Sequence, residues 1–429
     1  MKSVLEKKCR LFFLPLICLK SDFSEKDFLL YLKRLGYQPV RITDNMFSII
    51  EENDSVDLTY HCGVVYACSK SEKSLLDLKR KLLGALFSEC RQEPEVVIVL
   101  SDRKQLEIFP GGGFFSSLVK KAENVFPYIL LLFSFIIPVV FLLYNWAPLI
   151  LVSVLTSVFL LVLLVFAPLL YMKSNCLEIP KDARSITLIR IRSNSVSNED
   201  LTLFALVKHV ALKKIEELDV EKIQALLEDI GIKYKRVDME KVDISELFDK
   251  VKRKFGKNVS FCLLPSPDRN AFTLGIFPRL SKIYVTVGLL LDLNEQELEA
   301  VLSHELAHLI GYDSLKIFTF LSMEYILRAY ILSTLYVPLP MLVSYFCLYI
   351  YTVSRLLWKI ELNADREVAN RVGAEGLIRA IVKLMYPELA KSESFVQRFK
   401  QVFIPTSHPP PQTRIRFMFE ALDPGSTHK

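Results

Sequence analysis

Two long apolar runs, residues 126–144 and 148–171, constrain this chain before anything else does. Neither contains a charged residue, and each is near the roughly 20 residues that a spanning helix needs. The "NWAP" segment between them carries no Lys or Arg. Lys120 and Lys121 precede the pair, and Lys173, Lys181 and Arg184 follow it. By the positive-inside rule both outer flanks are cytosolic and the short loop is outside. A second pair of runs, 315–336 and 341–358, is separated by "VPLP" and flanked by Lys316, Arg355 and Lys359. It reads as a second hairpin with cytosolic ends. Glu324 and Arg328 lie inside its first run, at the i,i+4 spacing that lets them pair. Such charges are costly in a bilayer and face a bundle interior or a wet cavity. The expected architecture is mixed: a polytopic α-helical membrane protein of about four spans, with the lipid bilayer as its first partner.

The remaining sequence divides around these runs. Residues 1–108 alternate strand and helix patterns in the order strand-helix-strand-strand-helix-strand, that of a ferredoxin-like α+β sandwich. The apolar run at 10–18 follows a basic segment, but it is short and no A-x-A-like site follows, so it reads as a strand. This block carries no catalytic cluster and reads as an interaction or regulatory module. Residues 109–125 form a hinge or interfacial segment, and 126–172 the first hairpin. Residues 173–243 are a charged soluble insert with no assignable chemistry. Residues 244–429 hold the chemistry and enclose the second hairpin, 315–358. The net charge of +6 is spread without long basic runs, which excludes a nucleic-acid partner. Eight cysteines occur, none at C-x-x-C spacing. Neither a zinc ribbon nor a thioredoxin motif is indicated, and unpaired thiols fit the cytosolic side.

The chemistry centres on "SHELAHLIGYD", residues 303–313. Asn294 with Glu297 three residues on forms a capping box that starts a helix. Leu298, Leu302, Leu306 and Leu309 then make one apolar stripe. His304 and His308 are one turn apart on a neighbouring face, so two imidazoles can converge on one metal ion with Glu305 beside it as base. The chain has only six histidines, which makes this spacing more telling. A catalytic zinc needs a third protein ligand and an open position. "WKIELNADREVA" offers Glu361 as that ligand. Asp365, one turn later, can accept a hydrogen bond from a liganding imidazole. In "SHPPPQTRIRF", His408 precedes three prolines that hold the chain extended or turned. An imidazole placed there can stabilise the oxyanion of a tetrahedral intermediate. Taken singly, each acid and histidine is more often a solvated side chain; together they point to one site.

H-E-x-x-H, a membrane hairpin, E-x-x-A-D, then Ser-His-Pro with a nearby Arg-Ile resembles one family. It is the integral-membrane zinc metallopeptidase family of the HtpX heat-shock protease and the CAAX prenyl protease. The four-span plan is closer to the HtpX type. "DRNAFTLG" at 268–275 resembles the family's edge-strand segment ahead of the zinc helix. The resemblance covers about 244–420 and the two preceding spans. It implies a mostly helical zincin-type domain binding one Zn2+ per chain through His304, His308 and Glu361. It implies Glu305 as general base and acid, Asp365 as the support of a ligand, and His408 as a stabiliser of the transition state. Asn270, Ala271 and Phe272 would contact an extended substrate backbone by strand addition. Arg414 either anchors an acid near the site or pairs on the surface. Ser407 in place of Thr ahead of His408 is a mild departure from the pattern. The expected function is a zinc-dependent endopeptidase in the cell membrane. Its active site faces the cytosol, and it cuts membrane or misfolded proteins in quality control. Processing of prenylated or short peptides is one alternative. A catalytically silent membrane scaffold is the other.

Overall fold

The computed structural model describes residues 8–13, 25–43, 46–51, 54–61, 64–69, 71–89, 95–101, 151, 153–159, 177–179, 184–192, 219–264, 268–277, 281–335, 337–385 and 408–422. The chain begins with β1 (Lys8–Phe13), α1 (Glu25–Arg34), β2 (Val40–Thr43), β3 (Met46–Glu51), β4 (Asp54–His61), β5 (Val64–Ser69), α2 (Glu72–Glu89) and β6 (Glu95–Ser101). The first five strands form one sheet in the order β1-β5-β4-β3-β2. This departs from the ferredoxin-like arrangement in two ways. Four strands, paired antiparallel as β2–β3 and β4–β5, stand where the sequence reading has two. The sixth strand leaves the sheet altogether. β6 pairs antiparallel with β8 (Ser185–Arg192), Val97 opposite Arg190. Cys68 is disulfide-bonded, contrary to the expectation of unpaired thiols throughout.

The middle of the chain supplies β7 (Leu177–Ile179), β8, α3 (Val220–Ile230), β9 (Arg236–Asp243) and α4 (Ile244–Phe255). β8 has two apolar faces. Ile186 and Leu188 pack into the core that holds Phe248 and Phe261. Ile189 and Ile191 face the other way, onto Ile223 and Leu227 of α3. Side chains alternate along a strand, so one central strand serves both cores.

The C-terminal region contains β10 (Ser260–Leu264), β11 (Ala271–Leu274), β12 (Lys282–Thr286), α5 (Val287–Asp292), α6 (Glu295–Ile310), α7 (Asp313–Thr334), α8 (Leu339–Arg371), α9 (Ala374–Leu384) and α10 (Pro411–Leu422). Its sheet has the order β11-β12-β10-β7, with β11 at an edge. α6 starts on the capping box read from the sequence: Asn294 Oδ1 accepts from the Glu297 amide, and Glu297 Oε2 accepts from the Asn294 amide. Leu298, Leu302, Leu306 and Leu309 are all buried. α9 crosses α6 closely because Gly376 has no side chain; a Cβ there would lie 2.7 Å from the Gln296 carbonyl oxygen.

Two segments show an inverted pattern. In 153–159, Ser153 and Ser157 are buried while Leu155, Val158 and Phe159 are exposed. In α7, Arg328 is buried and Met323, Leu327 and Tyr330 are exposed. Arg328 pairs with Glu324, whose Oε1 also accepts from Tyr345 Oη of α8 at 2.5 Å. Helices that turn apolar side chains outward and polar ones inward suit lipid, where the polar groups find partners in neighbouring helices. Among the described residues one helix, α8, is long and apolar enough to cross a membrane, and only 17% of its apolar window is buried. The run 126–144 and most of 148–171 lie outside the described residues, as does His209.

One buried ion pair fixes α9 to the start of α6. Lys383 Nζ lies 2.7 Å from Glu297 Oε2, with both side chains almost fully buried. Removing the cation leaves an uncompensated carboxylate, which costs roughly 3–5 kcal/mol. Lys383→Ala is expected to lower unfolding free energy by about that amount, measured by chemical denaturation. A change under about 1 kcal/mol would mean that Glu297 is satisfied by its capping role alone.

Candidate metal centre

The site is assembled from α6, α8 and the C-terminal segment. His304 and His308 project from successive turns of α6, their rings 4.6 Å apart and nearly perpendicular. Their Nε2 atoms face each other at 3.1 Å. α8 brings Glu361 against both: its Oε2 is 3.4 Å from His304 Nε2 and its Oε1 is 3.4 Å from His308 Nε2. Glu361 and Asp365 lie beyond the apolar run 341–358, on the last turns of α8. One ligand atom from each of His304, His308 and Glu361 falls within 4.8 Å of the other two.

These spacings fit a small tetrahedral ion. Zinc bound at 2.0–2.2 Å by His and carboxylate separates its ligand atoms by about 3.3 Å. The two nitrogens are 3.1 Å apart, close to that value, and each lies 3.4 Å from a different oxygen of Glu361. Two histidines and one carboxylate also form a donor set that zinc takes in hydrolytic sites.

The remaining groups orient this set. Asp365, fully buried, lies 3.0 Å from His304 Nδ1. Arg414 of α10 grips Asp365 with two bonds, Nε to Oδ2 at 2.8 Å and Nη2 to Oδ1 at 2.6 Å. Of the two readings of Arg414, the structure has it anchor an acid beside the site. Its Nη2 is also 3.5 Å from His304 Nε2. His408 is half-exposed and lies with Nδ1 2.9 Å from Glu361 Oε2. It therefore meets a candidate ligand, a contact that the sequence reading did not include.

Electrostatics follow from this crowding. Burial opposes the charged form of His304, but hydrogen bonds to Asp365 and Glu361 outweigh it and raise its pKa. Burial likewise opposes charge on His308, and Asp313 and Glu361 overcome it to push the pKa up to about 10. Burial works against ionisation of Glu361, yet bonding from His304, His308 and His408 holds its carboxyl well below the usual range. Burial also disfavours the Asp365 carboxylate, and Arg414 more than offsets it, bringing the pKa to about 2.

The residues expected on the substrate side lie on or beside β11. Glu305, half-buried, points toward this strand: Thr273 Oγ1 is 3.0 Å from Glu305 Oε2 and 3.1 Å from its carbonyl oxygen. Ala271 and Phe272 pair with Val285 and Tyr284 of β12. Phe272 stacks on Tyr284 at 5.2 Å. The Asn270 amide donates to Thr286 Oγ1. All three expected substrate residues thus sit on or beside an edge strand whose Thr273 touches Glu305. Sequence reasoning missed Thr273 and Asp313. Thr273 is the outward neighbour of Phe272 in the segment already singled out, whereas nothing in the local pattern marks Asp313.

Residues 239–421 match the model for Peptidase family M48. This segment is similar to peptidase family M48. A "Protease HtpX homolog" of Pelotomaculum thermopropionicum is 53% identical over 53 residues, which are 12% of this chain and 19% of that protein. The homolog of Lactobacillus helveticus is 47% identical over 53 residues, 12% and 18% of the two chains. The chain thus spans about a fifth of the length of these curated relatives. The solved structure "Crystal Structure of S. mikatae Ste24p" aligns over 51% of this chain and 61% of its own. The match has 15% identity and a TM-score of 0.33, too low to equate the folds.

In the metal-free protein, His308 holds a proton up to about pH 10. Its stabilising contribution is complete below its ordinary pKa of 6.5 and is lost as pH rises through about 10. A metal ion needs the neutral ring, so binding must displace that proton. Titration of metal-free protein with Zn2+ at pH 8, in buffers of different ionisation enthalpy, is expected to release at least one proton per ion. Release of none would contradict this charge assignment.

Proposed function

We propose that this chain is a membrane-embedded zinc endopeptidase that hydrolyses peptide bonds of membrane or misfolded proteins at the cytosolic face. The observation that carries the reading is the convergence of His304, His308 and Glu361, with Glu305 beside them and facing an edge strand. A zinc ion held by these three residues supplies Lewis acidity, polarising a carbonyl and making water acidic. The rest is the work of the chain. Glu305 accepts the proton from the attacking water and passes it to the leaving amine. Thr273 holds the Glu305 carboxylate in place for both transfers. The open edge of β11 takes up an extended peptide by main-chain hydrogen bonds, with Asn270, Ala271 and Phe272 alongside it. His408 approaches from the solvent side, where it can meet the oxyanion of the intermediate. No serine or cysteine nucleophile is required.

The membrane part of the reading rests on α8. Tyr351, Arg355 and Trp358 cluster on it, the guanidinium 5.0 Å from the Tyr351 ring and 5.2 Å from that of Trp358. Aromatic and cationic side chains of this kind favour the membrane–water interface. Glu361 is three residues past Trp358, about 4.5 Å along the helix axis. The site would therefore stand at the headgroup level, within reach of segments that emerge from the bilayer. A silent scaffold has no use for a base that is oriented by Thr273, which favours the enzyme.

Purified zinc-loaded protein is expected to cut casein and a model membrane protein. Glu305→Gln is expected to keep its zinc and lose about 10²–10⁴-fold in rate. A Gln variant that binds zinc and cuts at the wild-type rate would remove Glu305 from the mechanism.

A further inference from the structure

We propose that Asp313 is a positioning residue for the metal centre, fixing the tautomer and orientation of His308 from across a strained turn. The inference rests on the metal reading above and deepens it. Asp313 is buried, and its Oδ2 lies 3.0 Å from His308 Nδ1. A carboxylate there accepts the Nδ1 proton, which leaves the Nε2 lone pair directed at Glu361 and His304. His304 has the matching arrangement with Asp365. Each imidazole of α6 is thus backed by its own acid, one from α8 and one from the start of α7.

The local backbone is shaped for this contact. α6 ends at Gly311, whose amide bonds to the Ala307 carbonyl at 2.8 Å. Tyr312 follows with φ of 54°, and it is the only non-glycine residue with positive φ among the described residues. An aromatic residue in the left-handed region is strained, and surrounding structure must hold it there. This turn folds Asp313 back toward a histidine five positions earlier. Gly311 leaves the space: a Cβ at that position would lie 3.0 Å from Asp313 Oδ1 and 3.1 Å from the Ala307 carbonyl oxygen. The second oxygen of Asp313 pairs with Lys316 Nζ at 3.0 Å, an exposed cation on the next turn. An acid that merely favoured the start of α7 would need neither burial nor this turn.

The test compares metal affinities of the full-length, metal-stripped protein in detergent. Zn2+ is titrated against a chromophoric chelator, and Co2+ is added separately to read its visible absorption. Asp313→Ala is expected to bind Zn2+ about 10–100-fold more weakly, the usual effect of losing a support of a ligand, and to change the cobalt spectrum. Asp313→Asn keeps an acceptor oxygen but no charge, and is expected to lose less. Lys316→Ala is expected to leave affinity and spectrum unchanged. Should Asp313→Ala fail to fold, Asp313→Asn decides: a several-fold loss supports the proposal. Wild-type affinity and spectrum in the folded variants would overturn it. Wild-type protein that binds neither ion would instead overturn the metal reading itself, and the proposal with it.

Discussion

Carboxylates crowded around two imidazoles dominate this structure. Glu361 touches both rings, Asp365 backs one and Asp313 backs the other, while Glu305 stands beside them. Arg414 is committed to Asp365, and the exposed Lys316 pairs with Asp313 at the rim. Buried negative charge of this density is unfavourable unless a positive centre answers it. Protons on His304 and His308 are one answer, which is why their pKa values rise despite burial. A divalent cation is the other, and ligand atoms that all lie within 4.8 Å of one another suit it.

The fold serves this cluster by bringing together residues far apart in the chain. The capping box and the Glu297–Lys383 pair fix where α6 begins and how α9 lies against it. Gly376 lets those helices approach, and α8 delivers Glu361 and Asp365 from the far side of a long helical hairpin. The C-terminal segment closes the group with His408 and Arg414. β11 supplies Thr273, so the base is held by the same strand that offers an open edge. One packed region thus holds His304, His308 and Glu361, the Glu305 carboxylate and the edge strand β11.

Much of the site was legible because its signals are local. The H-E-x-x-H spacing, the capping box, the apolar stripe and the Glu324–Arg328 pair are all properties of a single helix, and helical periodicity reports them. Glu361 and Asp365 were found the same way, four apart on one helix. Asp313 was not, because its contact depends on a left-handed residue that breaks the helical pattern just before it. Strand pairing was the least legible part. β6 finds its partner about ninety positions later, and no pattern within residues 1–108 encodes that choice. The antiparallel pairs β2–β3 and β4–β5 escaped because one alternating pattern runs through both strands of each pair.

Whether His304, His308 and Glu361 hold one zinc ion is decided by X-ray absorption at the zinc edge combined with metal analysis of the purified protein. The expected result is one zinc per chain, with two imidazole nitrogens at about 2.0–2.1 Å and carboxylate or water oxygen at about 2.0–2.2 Å. Glu361→Ala is expected to remove an oxygen ligand while both nitrogens stay. No zinc in wild-type protein, or sulfur in the first coordination sphere, would contradict this ligand set.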